Sequence, residues 1–286
     1  MHTYSLQDAF YKLKDDLSSV YDASEATAIA HTVLEHITGL NKLQRLGDKN
    51  TLLSRQQQLM YEEMKARLMA GEPLQYVTGV QWFLGHPFLV DKSVLIPRPE
   101  TEELVEWIVT EWKDSLPARM LDVGTGSGCI PISLKLQMPK VEITSCDISK
   151  EALETAAKNA ASLNADITLL NLDFLQKENW PSLAAFNVIV SNPPYIPEIE
   201  RETLDKNVRD FEPSMALFVP DNDALLFYRV LAEFGKAHLN TGGAVYCELH
   251  KDYAQDCQRM FESKGYTVIL KTDMHGNERM LKAILS

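Results

Sequence analysis

Apolar positions in the first seventy residues recur at helical spacing. Leu6, Phe10, Leu13 and Leu17 fall on one face, the stripe a helix buries against a core. Ser5, with Asp8 three residues on, predicts the N-terminal cap of that helix. Ser24 predicts the start of a second helix, striped by Ile29, Val33 and Ile37 and stopped at Gly39. Ser54-Arg55-Gln56-Gln57 has capping-box spacing. It opens a third helix carrying Leu59, Met60, Met64 and Leu68, ended by Gly71 and Pro73. Residues 1–73 are therefore expected to form a small helical bundle. Its stripes speak for packing and carry no chemistry.

The pattern changes over residues 74–98. Val80-Gln81-Trp82-Phe83 and Phe88-Leu89-Val90 flank Leu84-Gly85-His86-Pro87, which predicts a β-hairpin around a Gly/Pro turn. Val94-Leu95-Ile96 reads as a further extended piece. The stretch is expected to connect two domains and to end in the rigid Pro97-Arg98-Pro99-Glu100. Arg98 could pair with a nearby carboxylate or brace the mouth of a pocket. Thr101 is the predicted cap of the next helix, with Glu102 and Glu103 in the first turn and Leu104, Val105, Ile108, Val109 and Trp112 as the buried face.

From residue 118 strands and helices alternate, the pattern of a doubly wound α/β sheet. Met120–Val123 predicts a strand, Gly124–Gly128 a turn and Ile130–Gln137 a helix with Pro131 in its first turn. Val141–Cys146 is the second strand and ends at Asp147; Ser149 caps a helix through Leu163. Ile167–Leu170 and Phe186–Ser191 are the third and fourth strands. An excursion over Ile196–Asp223 is long enough to form a lid. A helix over Asp223–Leu239, a strand over Ala244–Glu248 and a helix over Tyr253–Ser263 follow. Thr267–Leu270 and Met280–Leu285 are expected to close the sheet as an antiparallel pair. Residues 99–286 thus read as one catalytic-sized α/β domain.

With 286 residues and 45% hydrophobic positions, the chain can bury one large or two modest cores. A formal net charge of −12 argues against a general phosphate-backbone binder, which shows a basic face. It suits a soluble chain, or one that meets a basic partner. Cys129, Cys146, Cys247 and Cys257 have no metal-knuckle or C-x-x-C spacing, and the histidines form no H-E-x-x-H. No metal site is expected. Met1-His2-Thr3-Tyr4-Ser5 lacks the pattern of a leader, and no apolar run reaches the ~18 residues of a membrane span. A reduced, cytoplasmic protein is expected.

The chemistry concentrates at Asn192-Pro193-Pro194-Tyr195, directly after the apolar strand Val188-Ile189-Val190. Two prolines fix φ, donate no N–H and hold the preceding residues extended. The corner is stiff and presents the Asn192 amide oxygen beside the Pro193 carbonyl. Two adjacent acceptors match the two donors of a planar –NH2 group, on a carboxamide or a base. Tyr195 could form a flat wall beside it. The plainer reading is a strand-ending turn in which Asn192 caps backbone groups. Upstream, Gly124-x-Gly126-x-Gly128 lets backbone approach a ligand closely. Asp147, ending the next strand, could accept both hydroxyls of a ribose, or simply stabilise a helix N-terminus. Asp173 and Phe174 could line an adenine, or Phe174 could belong to the core. A dehydrogenase has no use for N-P-P-Y; transfer of a methyl group from S-adenosylmethionine to an –NH2 nitrogen does.

In order along the chain stand Ile96-Pro97-Arg98-Pro99-Glu100-Thr101-Glu102, Asp122-Val123-Gly124-Thr125-Gly126-Ser127-Gly128, Asn192-Pro193-Pro194-Tyr195-Ile196 and Glu212-Pro213. With these segments the sequence resembles, essentially end to end, the peptide chain release factor glutamine methyltransferases, the HemK/PrmC family. The resemblance implies a class I S-adenosylmethionine-dependent methyltransferase: a Rossmann-like, mostly parallel seven-stranded sheet behind a helical bundle and a β-hairpin. It implies that Gly124, Thr125, Gly126, Ser127 and Gly128 contact the cofactor, with Asp147 at the ribose and Asp173 and Phe174 by the adenine. Asn192, Pro193, Pro194 and Tyr195 would hold the substrate glutamine, with Asn192 also near the cofactor. The implied partners are release factors 1 and 2, methylated at the glutamine of a Gly-Gly-Gln loop, with residues 1–73 aiding their recognition. A monomer without stable nucleic-acid or membrane binding is expected. Two departures stand out: the family commonly has a glycine where His250 stands, and Phe174 stands where some relatives carry Trp. Two other functions compete. A DNA adenine amino-methyltransferase would need a basic groove and a target-recognition domain for base flipping, and neither is evident. A non-enzymatic cofactor-binding module would transfer no methyl group.

Overall fold

The computed structural model describes residues 4–115 and 117–285. Met1, His2 and Thr3 of the N-terminal segment read above, and the expected limits at residues 1 and 286, lie outside the described residues. The chain divides into two compact units: Met1–Gly79 with Asp205–Phe211, and Val80–Leu204 with Glu212–Ser286. The expected connector over 74–98 does not stand apart. Residues 74–79 fall in the first unit and 80–98 in the second.

The first unit packs α1 (Leu6–Leu17), α2 (Ala23–Thr38) and α4 (Arg55–Met69) around one core. Ser5 caps α1, accepting from Asp8 N, and Ser54 and Gln57 form the capping box of α4. The second cap lies two residues before the expected Ser24. Asp22 accepts from Ser24 N and Glu25 N, because it stands three residues before Glu25, whose charge suits the third helical position. Two short helices, α3 (Lys42–Gly47) and α5 (Leu74–Thr78), were not foreseen. At six and five residues they carry too little periodic pattern to read. Fully buried Tyr61 fixes the centre, its hydroxyl donating to Ala9 O at 3.1 Å.

The second unit opens with a hairpin of β1 (Val80–Phe83) and β2 (His86–Leu89). Its turn is only Leu84-Gly85, both at positive φ (47° and 77°), as a two-residue hairpin loop requires. Pro87, expected in the turn, lies in β2 opposite Trp82; a two-stranded ribbon has only edge strands, where proline is tolerated. Asn159 ties the hairpin to the body: Leu89 N donates to its Oδ1 at 2.7 Å and its Nδ2 donates to Leu89 O at 3.0 Å. Val94–Ile96 joins no strand. Ile96 N donates instead to the carboxylate of Glu212 at 3.1 Å.

Helix α6 (Pro99–Trp112) begins earlier than Thr101, because Pro99 occupies its first position with φ preset for a helix. Thr101 lies inside the first turn, with its side chain buried. The sheet strands are β3 (Arg119–Val123), β4 (Glu142–Asp147), β5 (Thr168–Asn171), β6 (Phe186–Ser191), β9 (Leu239–Glu248), β10 (Tyr266–Thr272) and β11 (Glu278–Leu285). Ile196–Pro197 and Phe218–Val219 are β7 and β8. The seven-stranded sheet runs β10-β11-β9-β6-β3-β4-β5. Pairs from β9 to β5 are parallel, and β11 is antiparallel to both neighbours. Buried on both faces, the central strands read as continuous apolar runs. Helices α7 (Cys129–Gln137), α8 (Lys150–Ser162), α11 (Leu226–His238) and α12 (Ala254–Ser263) connect or flank them. The helix expected from Asp223 starts three residues later, since Asp223 sits in a turn on Pro220 O and pairs with Arg229.

The excursion after β6 is ordered. β7 and β8 pair in parallel, with a 3-10 turn over Glu198–Thr203 and the short helices α9 (Lys206–Phe211) and α10 (Ser214–Leu217) between them. From β3 the chain moves out to β4 and β5, then returns to β6 on the other side of β3. Such a reversal leaves a crevice beyond the carboxyl ends of the strands, where open α/β sheets bind ligands.

Candidate active site

A cavity of about 500 Å³ lies beyond the ends of β3, β4 and β6, wholly within the second unit. Gly124, Thr125, Gly126 and Ser127 form one wall, Asp147, Asp173 and Phe174 another, and Asn192, Pro193 and Pro194 a third. That size suits a small-molecule ligand.

The glycine turn is held from behind. Gly124 N and Thr125 N both donate to Cys146 O, at 2.9 and 3.2 Å. Gly126 N donates to Asp147 Oδ2 at 2.9 Å, and Ser149 N to Asp147 Oδ1 at 2.9 Å. Asp147 therefore braces the turn and the start of α8 while it lines the cavity. Gly124, Gly126 and Gly128 all have positive φ. A Cβ on Gly126 would meet nothing within 4 Å, so its backbone is open to a ligand. Gly128 is not on the cavity wall. A Cβ there would lie 2.8 Å from Ile132 Cδ1 and 3.2 Å from Ala156 Cβ, so its bareness lets α7 and α8 approach.

Beneath the turn, fully buried Asp122 accepts from Ser145 Oγ, whose one hydrogen is thereby used, so that the Thr125 hydroxyl donates to Ser145 Oγ. Among the described residues nothing bonds Asp122 Oδ1. Desolvation, helped by nearby Asp147 and opposed by Ser145, pushes the Asp122 carboxyl up to about 7. Asn159, 1% exposed, also donates to Ser127 O at 2.8 Å.

At the corner after β6, Asn192 Nδ2 donates to Thr101 Oγ1 at 3.1 Å. Thr101 in turn donates to Glu248 Oε2 at 2.6 Å. Among the described residues no hydrogen bond runs to Asn192 Oδ1 or to the Pro193 carbonyl. Tyr195 is absent from the cavity lining. Its hydroxyl donates to Glu248 Oε1 at 3.2 Å, and its ring lies 5.8 Å from that of His250. The Tyr195 phenol is pushed up, by burial first and then by the Glu248 charge. Glu248, 2% exposed, is likewise raised by burial, against the pull of Thr101 and Tyr195. Phe174 belongs to the core and also reaches the cavity. It packs edge-on against Phe234, with centroids 5.0 Å apart. Asp173 Oδ1 accepts from Leu175 N. Arg98 pairs with buried Glu212 and also lines the cavity.

A model of the Methyltransferase small domain matches residues 101–209, and one of the PrmC N-terminal domain matches residues 9–79. The chain is 38% identical over 270 residues to a release factor glutamine methyltransferase of Flavobacterium psychrophilum, covering 93% of this chain and 94% of that one. It is 40% identical over 272 residues to that of Bacteroides thetaiotaomicron, covering 95% and 97%. The chain belongs to the release factor glutamine methyltransferases. Among solved structures, a Thermus thermophilus 16S rRNA methyltransferase, RsmC, solved with AdoMet and guanosine, aligns with a TM-score of 0.50 at 17% identity. The match covers 72% of this chain and 50% of that one, and it shows the shared fold of the sheet.

In this glutamine methyltransferase, reading the sequence singled out one side of the corner and missed the other. Thr101 was expected only as a cap and Glu248 only as a strand end. The available signal was the position of Glu248 at the carboxyl end of an apolar strand, the same position that drew attention to Asp147. Asp122 and Asn159 carried none beyond their place in a motif and in a helix. No helix among the described residues is long and apolar enough to cross a membrane.

Proposed function

We propose that this chain methylates the side-chain amide nitrogen of the glutamine in the Gly-Gly-Gln loop of release factors 1 and 2, modulating translation termination in the cytoplasm. The cofactor is S-adenosylmethionine. What carries the reading is one juxtaposition: Asn192 and Pro193, whose side-chain and backbone carbonyl oxygens bond nothing among the described residues, line the same cavity as a glycine turn whose backbone is open. The residues fit that cofactor. Gly124 and Gly126 admit close approach, Asp147 has lone pairs left for ribose hydroxyls, and Asp173 and Phe174, on the same cavity, offer an acceptor and a ring face for a base. When bound, it supplies a methyl group on a positively charged sulfur.

The chain's own residues act on the nucleophile. A carboxamide nitrogen is a poor one, since its lone pair is delocalised into the carbonyl. Asn192 Oδ1 and Pro193 C=O accept its two N–H groups, raise electron density on nitrogen and favour its pyramidal form. The nitrogen would gain one N–C bond as the methyl carbon gives up its bond to sulfur, the sulfur keeping that electron pair, and would then lose one proton to solvent, since the proton is acidic once the methyl is attached. No general base is assigned; buried Glu248, which stands behind Asn192 through Thr101, is occupied by Thr101 and Tyr195. The catalytic work is positioning and fixed electrostatics. Residues 1–73 support recognition of the release factor, and the enzyme acts as a monomer without stable nucleic-acid binding.

Mass spectrometry of a Gly-Gly-Gln release factor after incubation with the protein and S-adenosylmethionine tests this. A gain of one methyl group on that glutamine is expected; an unmodified glutamine overturns it. Methylation of duplex DNA at moderate salt would favour the amino-methyltransferase alternative. Asp147→Ala is expected to weaken S-adenosylmethionine binding by about 10- to 10²-fold, since a hydrogen bond to a charged group contributes ~1.5–3 kcal/mol. A calorimetric titration with unchanged affinity would remove Asp147 from the cofactor site.

A further inference from the structure

The relay behind Asn192 fixes which way its amide points. Thr101 and Glu248 are each 2% exposed, so no bulk water competes for their hydrogens. A threonine hydroxyl has one hydrogen and two lone pairs, while a carboxylate only accepts. The Thr101 hydrogen goes to Glu248 Oε2 at 2.6 Å, and the other oxygen of Glu248 is taken by the Tyr195 hydroxyl at 3.2 Å. Thr101 Oγ1 is left able only to accept. Of the two ends of the Asn192 amide, only the –NH2 can then face it, and it does so at 3.1 Å. Oδ1 is thereby turned away from Thr101 and left without a hydrogen-bond partner among the described residues, on a residue that lines the cavity.

The preference matters because the terminal torsion of asparagine is broad and roughly two-fold. Without the relay, the half-turned amide would fit the same space. It would present two N–H donors to a substrate that is itself an –NH2 donor, and the pair of acceptors would be lost. We propose that Thr101 and Glu248 are positioning residues for methyl transfer: through one directed hydrogen-bond chain they hold the Asn192 oxygen toward the substrate amide. They come from the first turn of α6 and the carboxyl end of β9; Thr101 also lines the cavity, and the role assigned to both runs through the Asn192 amide. The inference rests on the role proposed above for Asn192.

The test is a set of variants of the full chain, assayed with S-adenosylmethionine and a Gly-Gly-Gln release factor. Thr101→Val keeps the shape and removes the hydroxyl; Thr101→Ser keeps the hydroxyl. T101V is expected to lower kcat by about 10- to 10²-fold, with cofactor affinity within about threefold of wild type. T101S should stay within about threefold of wild-type kcat. Because Thr101 acts through Asn192, T101V should add no further loss in an Asn192→Ala background, the non-additivity of residues that work as a unit. Wild-type kcat in T101V overturns the proposal. So does an equal loss in T101V and T101S, or a loss that adds fully to that of N192A, since these mark a packing role. Should T101V fail to fold, Thr101→Ala is read in the same way. If N192A itself keeps wild-type turnover, the proposed role of Asn192 fails first, and that result differs from an active-site role for Asn192 with an indifferent Thr101.

Discussion

Replacing Asn192 with alanine should lower the rate of glutamine methylation by about 10²–10³-fold, the cost of removing one preorganised group that stabilises a transition state. The substitution leaves the Pro193 carbonyl in place, so one of the two N–H groups of the substrate amide still finds an acceptor. The other faces a low-dielectric wall with nothing to bond. The loss should appear in kcat, because the two acceptors matter most when the nitrogen pyramidalises and its N–H groups gain positive character. A rise in KM with kcat unchanged would instead mean that Asn192 binds ground state and transition state equally. Turnover near wild type with purified release factor would remove the amide grip from the mechanism.

The legibility of this site follows from how local each signal is. β6 is found at Phe186–Ser191, as its apolar run indicated, and the stiffness of the corner after it is intrinsic to two prolines. Ser5 and the Ser54–Gln57 box cap their helices because both partners lie within one turn. The same locality explains the misplacement at α2, where Asp22 and Ser24 are both capping residues and only the spacing to Glu25 separates them. Thr101 shows the limit. A threonine before a run of glutamates reads as a cap, but Pro99 had already begun the helix. The true partner of Thr101 is Glu248, 147 residues away. Arg98 and Glu212 stand 114 residues apart, and Leu89 and Asn159 stand 70 apart. No periodicity encodes such pairings. They arise when folding brings together elements far apart in the chain, which is why the stiff corner after β6 was readable and the hydrogen bonds behind it were not.

Asp122 provides a second large effect, in stability. Its carboxyl is fully buried, with Oδ1 unbonded among the described residues and only Ser145 donating to Oδ2. Burial lifts it from the ordinary 3.8 to about 7. Between those values the folded chain holds a proton that the unfolded chain has released. Stability must then fall as pH rises, because the unfolded state binds fewer protons there. The contribution is fully present below about pH 4 and is lost as pH passes 7, with a total on the order of 4 kcal/mol. Asp122→Asn cannot ionise. Its –NH2 buries two N–H donors where the protonated acid buries one O–H, a constant cost of about 1–3 kcal/mol for the extra donor, which shifts the whole stability curve and leaves its slope alone. All other titrating groups are common to the two proteins, so the difference between their pH profiles isolates Asp122. Urea unfolding of both from pH 4 to 8 should show the wild type losing stability relative to the variant across the interval and running parallel to it above about pH 7. Parallel profiles throughout would mean that Asp122 ionises freely, and that water or a counter-charge reaches the floor of the glycine turn.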